Sequence, residues 1–85
     1  MEKKEQNREK LADLCHEQWA GWMKYLFSKC EANVIEGQPV TVIPNDSALR
    51  WTRQIETNYK DLSHDEKESD RKEADKFIKL MESFE

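Results

Sequence analysis

Three charged side chains lie where the pattern of the last predicted helix calls for apolar ones. At about 100° per residue, Ala74, Ile78 and Met81 form one apolar stripe. Extended toward the N-terminus, the stripe reaches Lys67, Asp70 and Arg71. Two cations one turn apart suit a phosphate or carboxylate. Asp70 would hold these cations in place or bond a sugar hydroxyl.

The same charges have a simpler interpretation. Ser63, with Glu66 three residues later, predicts a capping box at the start of this helix. The first turns of a capped helix can project past the core, and their charges are then solvated and pair with one another. Periodicity alone does not choose between a solvated face and a cationic cleft.

The length and charge of the chain limit the class of protein to which it can belong. The 85 residues predict a frayed N-terminus at 1–8 and a single helical domain at 9–85. A chain of this length buries only a modest core. The sequence shows no disulfide, metal cluster or repeat that would stabilise the fold. We therefore expect homo-oligomerisation or a bound ligand to stabilise it. The net charge of -4, with 38% charged residues, argues against a nucleic-acid binder, which needs a basic stripe.

The sequence also predicts a cytoplasmic protein without a membrane segment. The polar start of the chain, Met1 to Gln6, is not followed by an apolar run, so no signal peptide is expected. No apolar segment reaches transmembrane length. Cys15 and Cys30 fall on one predicted helix, about 22 Å apart, and are interpreted as reduced core thiols.

The predicted fold is mostly α, with two long helices, one shorter helix, and a small β-hairpin or extended segment between helices 1 and 2. Helix 1 is expected from about Glu9 to Cys30, helix 2 from about Ser47 to Glu56, and helix 3 from about His64 to Met81 or beyond. The β-branched runs Val34-Ile35 and Val40 to Ile43 predict the hairpin, turning at Glu36-Gly37-Gln38.

Each predicted helix has an expected apolar face. On helix 1 the face comprises Leu11, Cys15, Trp19, Trp22, Met23, Leu26 and Cys30. On helix 2 it comprises Ala48, Trp51 and Ile55, and on helix 3 Phe77, Leu80 and Phe84 broaden the stripe described above. In the hairpin, Val40 and Val42 are expected to share a face and cover the core.

Several residues at the borders of these faces are candidates for a ligand site. His16 is either half-buried with a backbone or water partner, or open to a ligand. Arg50 and Arg53 are either solvated, or one of them joins Lys67 and Arg71 around an anion. Tyr59, just before the last helix, is placed to pack its ring inward and offer its hydroxyl at a cleft.

Catalysis and cofactors have little support in the sequence. His64 is the only other histidine, so no zinc-type ligand spacing occurs, and no cofactor or metal is predicted. Cys15 and His16 are adjacent on a helix and point in different directions, so they imply no nucleophile–base pair.

Two separated segments resemble the ryanodine-receptor repeat domain. The first runs from Leu11 to Trp19 with a Leu-Ala…His-Glu-x-Trp pattern, and the second runs from Tyr59 to Arg71 with a Tyr-x-x-Leu…Glu-Lys-x-x-Asp-Arg pattern. The middle of the chain departs from the family, since the stretch from Val40 to Pro44 and Arg50-Trp51 replace a Gly-Trp segment and a Pro-Tyr turn. The family positions matched here are His16, Trp19, Tyr59, Lys67, Asp70 and Arg71.

The resemblance implies a mostly helical fold and a phage or bacterial setting near antiviral signalling, where such domains have been proposed to recognise nucleotide-derived signals. The predicted function is a non-enzymatic module that captures a small anionic, nucleotide-like ligand. Lys67 and Arg71 would bind phosphate, Trp19, Trp51 or Tyr59 would stack a base, and His16 and Asp70 would bond ribose or base edges. The alternative is a small helical protein-interaction module or inhibitor of a host protein.

Overall fold

The structure, a computed structural model, describes residues 2–84. In chain order the elements are α1 (Lys3–Lys29), β1 (Glu31–Ile35), β2 (Gln38–Val42), α2 (Asn45–Glu56), a 3₁₀ turn (Tyr59–Asp61) and α3 (His64–Glu82). The predicted fold class is confirmed: three helices, with a small antiparallel hairpin between the first and the second. The chain divides into two compact units, which are described separately.

The first unit combines α1 up to Trp22 with the chain from Ser63 onward. Its two helices run antiparallel, because Gln18 on α1 bonds Glu73 on α3, whereas Lys10, earlier on α1, lies over the ring of Phe84, later in the chain. Helix α1 begins at Lys3, six residues before the predicted start. Residues 3–29 contain no proline and one glycine, so nothing in this stretch breaks the helix.

The N-terminus of α3 has the predicted capping box. The Ser63 hydroxyl accepts a 3.2 Å hydrogen bond from the Glu66 amide, and the Glu66 carboxylate accepts a 3.1 Å bond from the Ser63 amide. These two bonds satisfy backbone groups that a helix start otherwise leaves unpaired. Asp65 and Glu66 also place negative charge at the positive end of the helix dipole.

The second unit runs from Met23 to Leu62. Strands β1 and β2 pair from Glu31↔Val42 to Ile35↔Gln38, which leaves Glu36 and Gly37 as a two-residue turn. Both turn residues have positive φ, 51° and 77°, as the type I′ turn that suits the twist of a hairpin requires. The predicted hairpin is therefore confirmed, and Val40 and Val42 lie half-buried on one face as expected.

Helix α2 starts at Asn45, directly after Pro44, and so begins two residues before the predicted start. Its half-buried residues include Ala48 and Trp51, as predicted. Ile55, predicted on the same face, is 83% exposed, so that assignment is wrong. Helix α2 instead turns Ser47 inward, a residue only 4% exposed.

The predicted apolar faces of α1 and α3 are right in part. On α1 the predicted residues Leu11, Met23, Leu26 and Cys30 are half-buried. Cys15, Trp19 and Trp22 are exposed, and Leu14 and Gln18, which were not predicted, are half-buried instead. On α3, the stripe of Ala74, Ile78 and Met81 is exposed. Phe77, Leu80 and, just beyond the helix, Phe84 are half-buried as predicted, and Glu73 is half-buried as well.

Some residues were assigned to the wrong side of these helices because the apolar surface is broad. Leu14, Cys15, Trp19, Trp22, Met23 and Leu26 surround much of α1, so several faces are apolar enough to be the buried one. Among residues 2–84, no hydrophobic side chain is fully buried. The chain thus carries more apolar surface on its helices than its own packing covers.

Candidate functional site

Two aromatic rings and two cations meet in the second unit. The edge of one ring meets the face of the other between Tyr25, near the end of α1, and Trp51 on α2, with ring centroids 6.3 Å apart and planes at 61°. This edge-to-face geometry is a favourable one for aromatic pairs. It brings α2 against the last turns of α1, so both elements contribute to the cluster.

Both cations contact these rings. Nζ of Lys29 lies 5.4 Å from the centroid of the Tyr25 ring, and the guanidinium carbon of Arg50 lies 5.8 Å from the Trp51 ring. Each distance is within the range of a cation–π interaction. Arg50 also donates a 3.2 Å hydrogen bond to the Tyr25 hydroxyl. We call Tyr25, Lys29, Arg50 and Trp51 the aromatic–cation cluster.

The cluster has unneutralised positive charge. No ion pair within residues 2–84 includes Lys29 or Arg50. Arg50 uses one of its five N–H donors on Tyr25, and the Lys29 ammonium brings three more. Lys29 is exposed, Tyr25 is 43% exposed and Arg50 is half-buried, so Lys29 is the cation that an anion from solvent reaches most readily. The arrangement can bind a phosphate and stack an aromatic group beside it.

The residues predicted from the sequence fall in both units. Trp51 belongs to the cluster and is half-buried, whereas Tyr59 begins the 3₁₀ turn and is 48% exposed. In the first unit, His16 stacks on Trp19 with centroids 5.8 Å apart and planes at 28°. His16 is exposed and not half-buried, so its first predicted interpretation is wrong, and its contact with a ligand stays a prediction.

The charged site residues predicted on α3 differ in their exposure. Lys67 is half-buried, whereas Asp70 and Arg71 are exposed. Arg71 donates a 2.6 Å hydrogen bond to Glu68 on its own helix. This bond and the adjacent positive charge of Arg71 hold the pKa of the Glu68 carboxyl below its usual value. The guanidinium is therefore already partly neutralised, which is the arrangement expected of a solvated helix face.

An open groove also lies in the first unit, between α1 and α3. It is lined by Lys10, Asp13, Leu14, Glu17, Lys76, Lys79, Leu80 and Ser83. Carboxylates from α1 stand among its lysines, so the charges oppose each other and no strong field for an anion builds up. This mixed lining makes the groove a poorer anion site than the aromatic–cation cluster.

Sequence reasoning missed two members of the cluster. Tyr25 and Lys29 are four residues apart and share one face of α1, which is a signal that helical periodicity could have identified. Their partner residues, Arg50 and Trp51, come from a distant segment, and only the packing of α2 brings them near. The structure also shows no group of three potential metal ligands and no membrane-spanning helix within the residues it describes.

Comparison with known proteins gives no match to any family model, curated protein or solved structure. The similarity to the ryanodine-receptor repeat domain therefore rests on the two sequence motifs alone.

Proposed function

We propose that the protein is a small, non-enzymatic module that captures an anionic, nucleotide-like ligand. The observation that supports this most directly is the aromatic–cation cluster: two cations without a carboxylate partner, each against an exposed or half-buried aromatic ring. A nucleotide presents the two matching features, a phosphate and a base. Base–aromatic stacking contributes about 1–3 kcal/mol, and a hydrogen bond to a charged group about 1.5–3 kcal/mol.

The cluster assigns separate roles to its members. Lys29 and the free N–H groups of Arg50 bind phosphate, and the exposed part of the Tyr25 ring or the Trp51 indole stacks a base. Arg50 is positioned for this by its bond to the Tyr25 hydroxyl, which fixes one edge of the guanidinium. A fixed planar donor loses less entropy on binding than a free one, which favours recognition of phosphate.

The sequence resemblance adds a biological setting to the proposal. In a phage, such a module would act in the cytoplasm of the bacterial host and sequester an antiviral signal of the cyclic-nucleotide or ADP-ribose type. Capture needs tight binding and slow release rather than turnover. A ligand incubated with the protein should therefore be recovered chemically unchanged, and a hydrolysed product would contradict the non-enzymatic assignment.

Isothermal titration calorimetry tests the binding proposal. The ligands are cyclic dinucleotides, cyclic ADP-ribose isomers and mononucleotides, and mass spectrometry of small molecules released by denaturing the purified protein extends the panel. We expect Lys29→Gln to weaken binding and Lys24→Gln, an exposed lysine five residues earlier on α1, to leave it unchanged. Absence of binding across the panel and of any co-purified molecule would refute the proposal.

The same titration distinguishes the two candidate anion sites. Arg71→Ala should leave binding unchanged if the cluster is the site. Loss of binding in Arg71→Ala, with Lys29→Gln unaffected, would instead assign the ligand to the predicted residues Lys67, Asp70 and Arg71. The proposed class of function would then be retained, and the ligand site would be assigned to α3 instead of the aromatic–cation cluster.

The exposure of Trp19 and Trp22 favours the second candidate function, an interaction module for a host protein. A host partner held by these side chains should be released by Trp19→Ala and retained by Trp51→Phe. Retention of the partner by both variants would count against this function.

A further inference from the structure

The helix pair of the first unit has two sides of opposite character. The two helices are antiparallel. When both are viewed from the same end, each successive side chain is therefore rotated in one sense on α1 and in the opposite sense on α3. Residues one position before the half-buried ones therefore share one side of the pair, and residues one position after share the other. Asp13 and Glu17 of α1 and Lys76 and Lys79 of α3 precede half-buried residues, and all of them line the charged groove.

Along the C-terminal half of α3 the opposite side is apolar, whereas toward the N-terminus of α3 the same stripe reaches Lys67 and Arg71. Cys15 and Trp19 follow half-buried residues of α1, and Ala74, Ile78 and Met81 follow half-buried residues of α3. Trp22 extends the same stripe by three positions. We call this set the apolar face: Cys15, Trp19, Trp22, Ala74, Ile78 and Met81. Trp19 is 59% exposed, Trp22 49%, and Ile78 and Met81 are each 55% exposed.

The two indoles contribute a large exposed apolar area to this face. A fully buried aromatic side chain contributes up to ~250 Å², so the exposed halves of two indoles offer about 250 Å² in each chain. The remaining members of the face, on both helices, add to this area. Specific dimers bury roughly 800 Å² per partner, so the two indoles supply about a third of such a surface, and the other members of the face and the helix flanks would have to supply the rest.

We propose that the apolar face binds the same face of a second copy of this chain. A helix that is apolar on more than one side needs cover on more than one side, and α3 covers only the Leu11, Leu14 and Gln18 side of α1. A second copy brings an equally large apolar face of the same two helices. A two-fold axis through the face pairs two helix hairpins into a four-helix arrangement. The charged grooves remain on the outside.

Analytical ultracentrifugation over a wide concentration range tests this proposal. We expect the wild-type chain to be a dimer that Ile78→Glu weakens on the order of 100-fold or more, since a two-fold interface would bury the new carboxylate twice. The matched control is Ile55→Glu, the same substitution at a more exposed position on α2. It should leave the dimer intact. A wild-type chain that is monomeric throughout, or an equal effect of both variants, would overturn the proposal.

A second measurement does not depend on how Ile78→Glu folds. In a Cys30→Ser background, Cys15 is the remaining thiol and lies on the apolar face. Its rate of reaction with a maleimide should fall as protein concentration rises through the dimerisation range. A rate that does not change while the protein dimerises would show that another surface forms the interface, and would refute this one.

Discussion

Arg50 donates a 3.2 Å hydrogen bond to the hydroxyl of Tyr25, 25 positions earlier in the chain. This bond joins α2 to the last turns of α1 within one compact unit. Tyr25 also contacts a second cation, because Lys29 lies over its ring. Lys29 lies over the Tyr25 ring and Arg50 over the Trp51 ring, and neither has a carboxylate partner among residues 2–84, so an anion that contacts either cation gains a favourable charge interaction.

Removing the guanidinium should therefore weaken binding of an anionic ligand. We expect Arg50→Ala to lower affinity at least ~10-fold, because a hydrogen bond to a charged group contributes about 1.5–3 kcal/mol. Calorimetry with the tightest ligand of the panel measures this. Arg8→Ala removes the same charge from an exposed position on α1 and serves as the control. An equal loss in both variants would indicate a general effect of net charge.

The capping box at Ser63 should stabilise α3. We expect Ser63→Ala to lower the free energy of unfolding by ~1 kcal/mol, because the Glu66 amide loses its acceptor. Ser63→Asp should retain most of the stability. Urea denaturation followed by circular dichroism measures both. Ser69→Ala, in the helix interior, should not destabilise the protein, and a loss there equal to that of Ser63→Ala would argue against a capping effect.

The two glycines should respond to alanine with opposite signs. Gly37 has a φ of 77°, which strains a residue with a Cβ atom, so Gly37→Ala should destabilise the hairpin by roughly 1–2 kcal/mol. Gly21 lies inside α1, and a Cβ added there meets nothing within 4 Å. Gly21→Ala should stabilise the chain by up to ~1 kcal/mol. Thermal denaturation compares them, and equal shifts would contradict the assigned turn.

Arg71 should control the titration of Glu68. The hydrogen bond from Arg71 lowers the pKa of this carboxyl, so the ion pair stabilises the fold above the unfolded-state pKa and loses that effect as pH falls through the folded-state pKa. In Arg71→Ala we expect the Glu68 pKa to rise toward its ordinary value. Carboxyl-carbon NMR titration measures it, with Arg8→Ala as the control. An unchanged midpoint in Arg71→Ala would mean that the pair does not persist in solution.

The local elements of this protein could be predicted from the sequence because their signals are local. Ser63 and Glu66 are three residues apart, so their reciprocal bonds need only the first turn of α3 to form. Gly37 tolerates the positive φ of the turn between two β-branched runs, and no distant contact is needed to place it. The observed start of α1 lies before the predicted one. The polar residues before Glu9 have good helix propensity but no apolar pattern that would predict a helix.

Only tertiary structure decided which face of each helix turns inward. The apolar residues of α1 cover much of its circumference, and those of α3 span adjacent stripes at Phe77 and Ile78, so periodicity allowed more than one answer. Packing α1 against α3 selected Leu14 and Phe77 and left Trp19 and Ile78 exposed. The contact between Tyr25 and Arg50 could not be predicted from the sequence either, because sequence spacing does not show which distant side chains come into contact.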